Sequence, residues 1–170
     1  LHCLEIVTRP CGCVIAWAKF PVSESPTNII QMSTNLFPTA DSHPTYIVVD
    51  KACRILGTLL STGAADTWFA TTQFLVDAFH FKNHKEEIRC QTFCNPAPTD
   101  GRHPNLITPI KGKDGKVVLQ CAFNTEAAEQ LNSWFQLYSS QLSHMHPNNH
   151  DFLVHVMLTY WHFNSNNATS

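Results

Sequence analysis

The sequence predicts an α/β fold, because strand-like and helix-like segments alternate along the chain. Two short apolar runs, residues 46–50 and 74–77, have the continuous hydrophobic character of buried strands. After residue 125, apolar residues recur at spacings of three and four, which predicts an amphipathic helix. The chain has 170 residues, 44% hydrophobic and 14% charged, so it is long enough for one domain with a substantial core.

The chain begins with a predicted strand hairpin, followed by a helix. Residues 4–8 and 13–20 are strand-like, and the proline and glycine between them favour a turn. Ser25 before Pro26 is typical of a helix N-terminus, because a serine hydroxyl caps free N–H groups and proline has none to satisfy. This helix should end near Phe37, before the next proline.

The following segment predicts two buried strands joined by a helix. The run at 46–50 has four consecutive apolar residues, two of them β-branched, before it ends on Asp50. We expect a central strand that is buried on both faces. A helix at 52–60 follows, Gly63 interrupts the pattern, and a second buried strand is expected at 74–77.

Residues 79–120 predict a loop-rich insertion with its own small organisation, because large apolar residues are few and a hairpin-like turn occurs at 113–116. The net charge of −2 gives no overall attraction to nucleic acid, so any DNA affinity requires a local basic patch. Such a patch could contact phosphates, although a solvated loop has the same composition. Seven of the eleven basic residues lie here: Lys82, Lys85, Arg89, Arg102, Lys111, Lys113 and Lys116.

The last part of the chain predicts one long helix, a second helix and a tail. The amphipathic pattern runs from Thr125 to Met145, and a final helix is expected at 152–162. Residues 164–170 are expected to be disordered. The predicted organisation is therefore a single domain over residues 1–163 that contains the insertion.

Composition also bears on location. No segment approaches the roughly 18 unbroken apolar residues of a membrane helix, so no membrane partner is expected. Seven cysteines, an odd number, mixed with ten histidines favour reduced thiols over a disulfide scaffold. The chain opens without a methionine, in a strand-like segment, and we therefore expect a fragment of a longer protein.

Three carboxylates are candidates for a metal site. Two-metal cleavage of a phosphodiester needs hard oxygen ligands from separate elements. Asp50 ends a predicted buried strand, and Glu126 and Glu129 are three residues apart on the predicted long helix. The alternative is that Asp50 caps the next helix and that the glutamates are solvated first-turn residues.

A second candidate site has the spacing H-x3-H-x5-C-x3-C. His80, His84, Cys90 and Cys94 could supply the four ligands of a tetrahedral zinc ion that orders the insertion. The alternative is that the histidines lie on the surface and the cysteines fill small core positions. Cys53 is interpreted as an ordinary buried thiol.

Five motifs occur in order along the chain: CGCVIAWAKFPVSESPTNI, PTYIVVDKACRIL, TTQFLVDAFHFKNHK, CQTFCNPAPTDGRHPNLI and AFNTEAAEQLNSWF. Together they resemble fungal transposase-derived proteins similar to the Kyakuja-Dileera-Zisupton (KDZ) transposases, which often carry CxC cysteine clusters. The resemblance covers residues 1–163. It implies a partial ribonuclease H-like fold and a nuclear enzyme that acts on transposon-end DNA.

The resemblance also implies catalytic roles. The family uses an Asp-Asp-Glu triad with Mg²⁺ or Mn²⁺. Asp50 would be the second acid and Glu129 the third, with Glu126 in reserve, and the His/Cys insertion would bind Zn²⁺.

This sequence departs from the family pattern at the first acid, which belongs on a strand before the hairpin. Glu5 is on the wrong strand for that role. We therefore expect the chain to be inactive alone. The alternative is a domesticated or decayed remnant that acts as a zinc-stabilised module for binding nucleic acid or protein.

Overall fold

The computed structural model describes residues 3–20, 22–84 and 87–167, with side chains up to residue 164. The fold is mixed α/β with small sheets, as predicted at the level of class. The chain divides into two compact units. We call residues 1–24 together with 126–170 the terminal unit, and residues 25–125 the central unit.

The terminal unit contains the predicted hairpin. Strands β1 (Cys3–Thr8) and β2 (Val14–Phe20) pair in antiparallel register, with a shift between Val7 and Thr8. Gly12 turns the chain with φ of 87°, a left-handed conformation that glycine adopts without steric cost. The hairpin prediction is confirmed.

Three helices complete the terminal unit: α6 (Ala127–Gln136), α7 (Ser139–Ser143) and α8 (Pro147–Asn167). The prediction of one long helix from residue 125 to 145 is wrong, because the chain breaks between α6 and α7. The apolar spacing continues across the break, since both helices bury a leucine in the same core, Leu131 and Leu142.

Helix α8 is longer than predicted at both ends. Pro147 occupies its first position, where the fixed φ of proline suits a helix and no N–H is lost. The polar residues after it, which precede the predicted start of this helix at residue 152, form its first turn. The helix also continues through Asn167, into the segment expected to be disordered, and residues 168–170 lie outside the described part.

The central unit begins with α1 (Pro26–Leu36), which starts as predicted: Ser25 Oγ accepts a hydrogen bond from the N–H of Asn28 at 3.2 Å. The core of this unit then follows as β3 (Tyr46–Val48), α2 (Ala52–Thr62), α3 (Ala65–Phe69) and β4 (Gln73–Leu75).

Strands β3 and β4 form a parallel two-stranded sheet, so their carboxyl ends lie at the same edge. The predicted two-sided burial of the first strand is wrong, because Val48 is 37% exposed. The second strand fits the prediction better, since Phe74 and Leu75 are buried. Leu75 accepts a hydrogen bond from the Val49 N–H at 2.9 Å, which continues the pairing towards Asp50.

The segment predicted as an insertion contains two α-helices and two strands, α4 (Ala78–Phe81), α5 (Ile88–Phe93), β5 (Ile107–Lys111) and β6 (Val117–Cys121), and a short 3-10 helix at Pro104–Leu106. Strands β5 and β6 form the predicted hairpin. The first half of the segment is not organised separately, because Cys90 and Cys94 are fully buried in the core of the central unit.

Candidate metal centres

The parallel sheet places two aspartates at its carboxyl edge. Asp50 lies two residues after β3, and Asp77 lies two residues after β4. The carboxyl edge of parallel strands is where such sheets usually bind ligands, because side chains and loops converge there. Lys51 is the N-cap residue of α2 and no side chain caps this helix, so the interpretation of Asp50 as a helix cap is wrong.

Asp77 holds His80 in place. Its Oδ1 accepts a hydrogen bond from the His80 backbone N–H at 2.9 Å, which caps α4. Its Oδ2 lies 2.8 Å from His80 Nδ1, which therefore carries the donated proton. Asp77 is only 4% exposed, so these bonds satisfy a carboxylate that would otherwise be costly to bury.

Asp50, Asp77 and His80 form the first candidate centre, and we call it the carboxylate group. One ligand atom from each lies within 4.8 Å of the others. The Asp50 side chain is 38% exposed and its Oδ1 lies 4.0 Å from His80 Nδ1. Two carboxylates and an imidazole at an accessible sheet edge suit a divalent cation that prefers oxygen ligands.

Cys53, His84, Glu87 and Cys90 form the second candidate centre, and we call it the thiol group. One ligand atom from each again lies within 4.8 Å of all the others. Cys53 comes from the buried face of α2, His84 follows α4, and Glu87 and Cys90 lie at the start of α5 and within it. Cysteine and histidine groupings of this kind can hold a metal such as zinc.

His84 is at the centre of the thiol group. Its Nδ1 lies 3.4 Å from Cys90 Sγ, 3.5 Å from Glu87 Oε2 and 4.0 Å from Cys53 Sγ. Its backbone carbonyl accepts hydrogen bonds from the Glu87 N–H and from Gln91 Nε2, both at 3.1 Å. Its other ring nitrogen, Nε2, lies 3.9 Å from Asp50 Oδ1.

Burial influences which groups of the thiol group carry a proton. Loss of solvent raises the pKa of the Cys90 thiol, and burial raises the pKa of the neighbouring Cys94 to about 12. Cys90 therefore donates a hydrogen bond to Glu87 Oε2 at 3.2 Å. That bond is the main reason why the pKa of Glu87 lies below its usual value. Burial therefore favours the neutral thiol at Cys90, and the hydrogen bond favours the charged carboxylate at Glu87.

The predicted zinc ligands are divided between the two centres. His84 and Cys90 belong to the thiol group, whereas His80 belongs to the carboxylate group. Cys94 is buried in the same core cluster as Cys90 and Cys53, but it is not one of the four residues of the thiol group.

Two members of the thiol group were missed from the sequence, Cys53 and Glu87. Cys53 was interpreted as an ordinary core thiol because it lies 31 residues before its nearest partner along the chain, His84. The available signal was its position three residues after Asp50, one helical turn from the strand end. Glu87 lies between His84 and Cys90 and offered no motif of its own.

Glu126 and Glu129 lie at the start of α6, Glu126 at the N-cap position and Glu129 in the first turn. Both belong to the terminal unit, whereas Asp50 belongs to the central unit. The use of these acids by one catalytic centre remains a prediction from the resemblance.

The basic patch is partly neutralised. Arg102 forms an ion pair with Asp100, and Lys116 lies 3.9 Å from Asp114. Arg89 instead lines an open depression of about 550 Å³ with Arg54, beside the thiol group. Lys85 lies outside the described residues.

Within the described ranges, none of the helices is long and apolar enough to cross a bilayer. Comparison with protein-family models, with curated proteins and with solved structures finds no match for this chain.

Proposed function

We propose that this chain is part of the catalytic region of a DDE-type transposase and that Asp50 is one of the acids that bind its catalytic metal. The observation that carries the proposal is the carboxylate group, in which Asp50 and Asp77 follow adjacent parallel strands and meet His80. An antiparallel hairpin, a parallel strand pair and a later helix bearing Glu129 follow one another along the chain, and this order supports the proposal.

The chemistry of the group fits a hard cation. Mg²⁺ or Mn²⁺ would supply charge stabilisation to the entering and leaving oxygens of a phosphodiester. In this chain Asp50 offers the accessible carboxylate, whereas the buried Asp77 fixes the orientation and tautomer of His80. Glu129, with Glu126 in reserve, is the proposed third acid, and DNA in the nucleus is the proposed partner.

Binding of Mn²⁺ tests this proposal without requiring cleavage. Electron paramagnetic resonance of the purified chain should show about one bound Mn²⁺, displaceable by Mg²⁺, as expected for an oxygen-rich site. Asp50→Asn should abolish this binding, whereas Asp41→Asn, which changes an exposed aspartate elsewhere in the central unit, should not. Equal binding by the intact chain and Asp50→Asn would refute the assignment.

A second function, a zinc-stabilised module that binds nucleic acid, is favoured by Arg54 and Arg89 beside the thiol group. Fluorescence anisotropy with a labelled DNA duplex separates the two. The transposase proposal predicts DNA binding that is strengthened by Mg²⁺ and weakened by Asp50→Asn. The binding module predicts binding that is indifferent to Mg²⁺ and weakened by changing both arginines to glutamine.

A further inference from the structure

The thiol group has the dimensions of a tetrahedral zinc site. Bonds of about 2.0–2.3 Å arranged as a tetrahedron separate neighbouring ligand atoms by about 3.3–3.8 Å. The distances from Cys90 Sγ to Glu87 Oε2, from Cys90 Sγ to His84 Nδ1 and from His84 Nδ1 to Glu87 Oε2 are 3.2, 3.4 and 3.5 Å. Cys53 Sγ lies 4.0 Å from His84 Nδ1, slightly beyond this range, and within 4.8 Å of the other ligand atoms.

The surroundings also suit a metal. Cys90 is fully buried and Cys53 is 9% exposed, so the site is closed on the core side. The Glu87 side chain is 57% exposed, and together with Cys53 it borders the open depression, which provides a route for the ion. Two thiols, an imidazole and a carboxylate are ligand types that zinc accepts, and thiolates disfavour Mg²⁺.

We propose that Cys53, His84, Glu87 and Cys90 bind a structural zinc ion through His84 Nδ1, and that the zinc-bound His84 directs its Nε2–H towards Asp50. The ion would connect α2, in the core of the central unit, to the segment that carries α4 and α5. This proposal does not depend on the proposed function, because each of its ligands and distances holds whether or not the chain processes DNA.

The second part of the proposal rests on the two ring nitrogens of His84. A histidine that binds a metal through one ring nitrogen has its proton on the other, and a nearby carboxylate usually accepts that proton in a hydrogen bond. Nδ1 faces the thiol group, whereas Nε2 lies 3.9 Å from Asp50 Oδ1. A small movement of either side chain would bring these two atoms to hydrogen-bonding distance. The zinc ion would therefore help to orient the same carboxylate that is assigned to the carboxylate group.

The ligand set is tested by replacing zinc with Co²⁺ in the reduced full chain. Tetrahedral Co²⁺ with thiolate ligands has intense visible bands and a sulfur charge-transfer band, so the spectrum reports the ligands directly. We expect about one Co²⁺ per chain, displaceable by Zn²⁺, with both bands present. Cys53→Ser and Cys90→Ser should each lose sulfur charge-transfer intensity.

Cys94→Ser is the matched control, because Cys94 is as buried as Cys90 and adjoins it but is not in the thiol group. It should keep the full Co²⁺ spectrum. Loss of the thiolate bands in Cys94→Ser, with or without loss in Cys53→Ser, would overturn the ligand set. Absence of thiolate bands from the folded intact chain would overturn the site itself.

The cysteine variants change buried residues and could fail to fold. Glu87→Gln avoids this problem, because the Glu87 side chain is exposed. Circular dichroism should match that of the intact chain while zinc affinity, measured by competition with a chromophoric chelator, falls by at least about 10- to 100-fold. Unchanged affinity would remove Glu87 from the site and contradict the proposal.

The link to Asp50 has its own test. Asp50→Ala should weaken zinc binding by about 10- to 100-fold, the usual effect of losing an outer hydrogen-bond partner. Asp50→Asn keeps an acceptor oxygen and should weaken it less, and Asp41→Ala should have no effect. Equal zinc affinity in Asp50→Ala and the intact chain would show that His84 and Asp50 are not coupled.

Discussion

The two units of this protein differ in what their cores contain. The terminal unit buries aliphatic side chains such as Leu131 and Val154 and surrounds Trp134 with other aromatic rings. The central unit has an aliphatic and aromatic core too, but three thiols belong to its core cluster, and Asp77 is buried at the end of β4. Among the described residues of the terminal unit, the side chains that come close enough together to share a metal ion are Cys3, Glu5 and Glu24, and no histidine joins them.

This difference in core composition suggests that the terminal unit mainly contributes stability and that the central unit contains the candidate metal sites. An apolar core gains free energy from burial alone, whereas a buried carboxylate or thiol contributes only when it has partners. The central unit keeps such groups beside the ends of β3 and β4, where ligands would bind. The stability of the terminal unit is therefore expected to depend less on metals than the stability of the central unit.

The largest effect should come from the apolar core of the terminal unit. Leu131→Ala removes a fully buried side chain of α6 and should lower the free energy of unfolding by about 2–5 kcal/mol. Leu137→Ala, at a position that is 77% exposed, should change it by less than about 0.5 kcal/mol. Urea denaturation followed by circular dichroism gives both values, and similar losses in the two variants would contradict the core assignment.

Zinc should stabilise one unit only. At a free concentration about 100 times the dissociation constant, an ion that binds only the folded form adds about 2.7 kcal/mol. Amide hydrogen exchange with mass spectrometry should show slower exchange in α2 and α5 on addition of zinc, and unchanged exchange in α6 and α8. Equal protection of all four helices would remove the distinction between the units.

Asp77 should be a structural weak point of the central unit. Asp77→Ala removes the cap of α4 and the partner of His80, which should cost about 0.5–2 kcal/mol. Asp41→Ala, at an exposed position, is the control. Thermal denaturation compares the stabilities of the two variants. An Asp77→Ala variant as stable as the intact chain would mean that the buried carboxylate contributes no net stability.

The smallest effect concerns pH in the terminal unit. Lys19 Nζ lies 2.6 Å from Asp151 Oδ1, and this hydrogen bond, with one from His150, holds the pKa of Asp151 below its usual value. A lowered folded-state pKa gives stability that is present above the unfolded pKa and is lost as pH falls through the folded one.

Lys19→Met should therefore destabilise the chain slightly near neutral pH and converge with the intact chain in acid. Because the Asp151 side chain is half exposed, solvent screens its charge and keeps the difference in stability between the two chains small. Lys113→Met, in the loop of the β5–β6 hairpin, is the control. If the stability difference between Lys19→Met and the intact chain grew as the pH falls, the ion pair would not be its cause.

Local sequence signals located much of the fold. Ser25 and Pro26 indicated the start of α1, Gly63 interrupts the chain directly after α2 as predicted, and the hairpin turn contains the predicted proline and glycine. These predictions succeed because each depends on the conformational preferences of a few neighbouring residues.

The failures depend on tertiary packing. The break between α6 and α7 leaves the apolar spacing intact, so periodicity could not reveal it. Val48 was expected to be covered on both faces, but its exposure depends on which elements pack over β3. Cys53 joins Cys90 only because α2 and α5 pack together, a contact that spacing along the chain cannot specify.

Anomalous diffraction from crystals grown with Zn²⁺ and Mn²⁺ tests the central claim most directly, because data collected at each absorption edge locate each metal separately. We predict a zinc peak bonded to Cys53, His84, Glu87 and Cys90, and a manganese peak beside the Asp50 carboxylate. Zinc bound elsewhere, or a thiol group without zinc in a folded chain, would contradict the account.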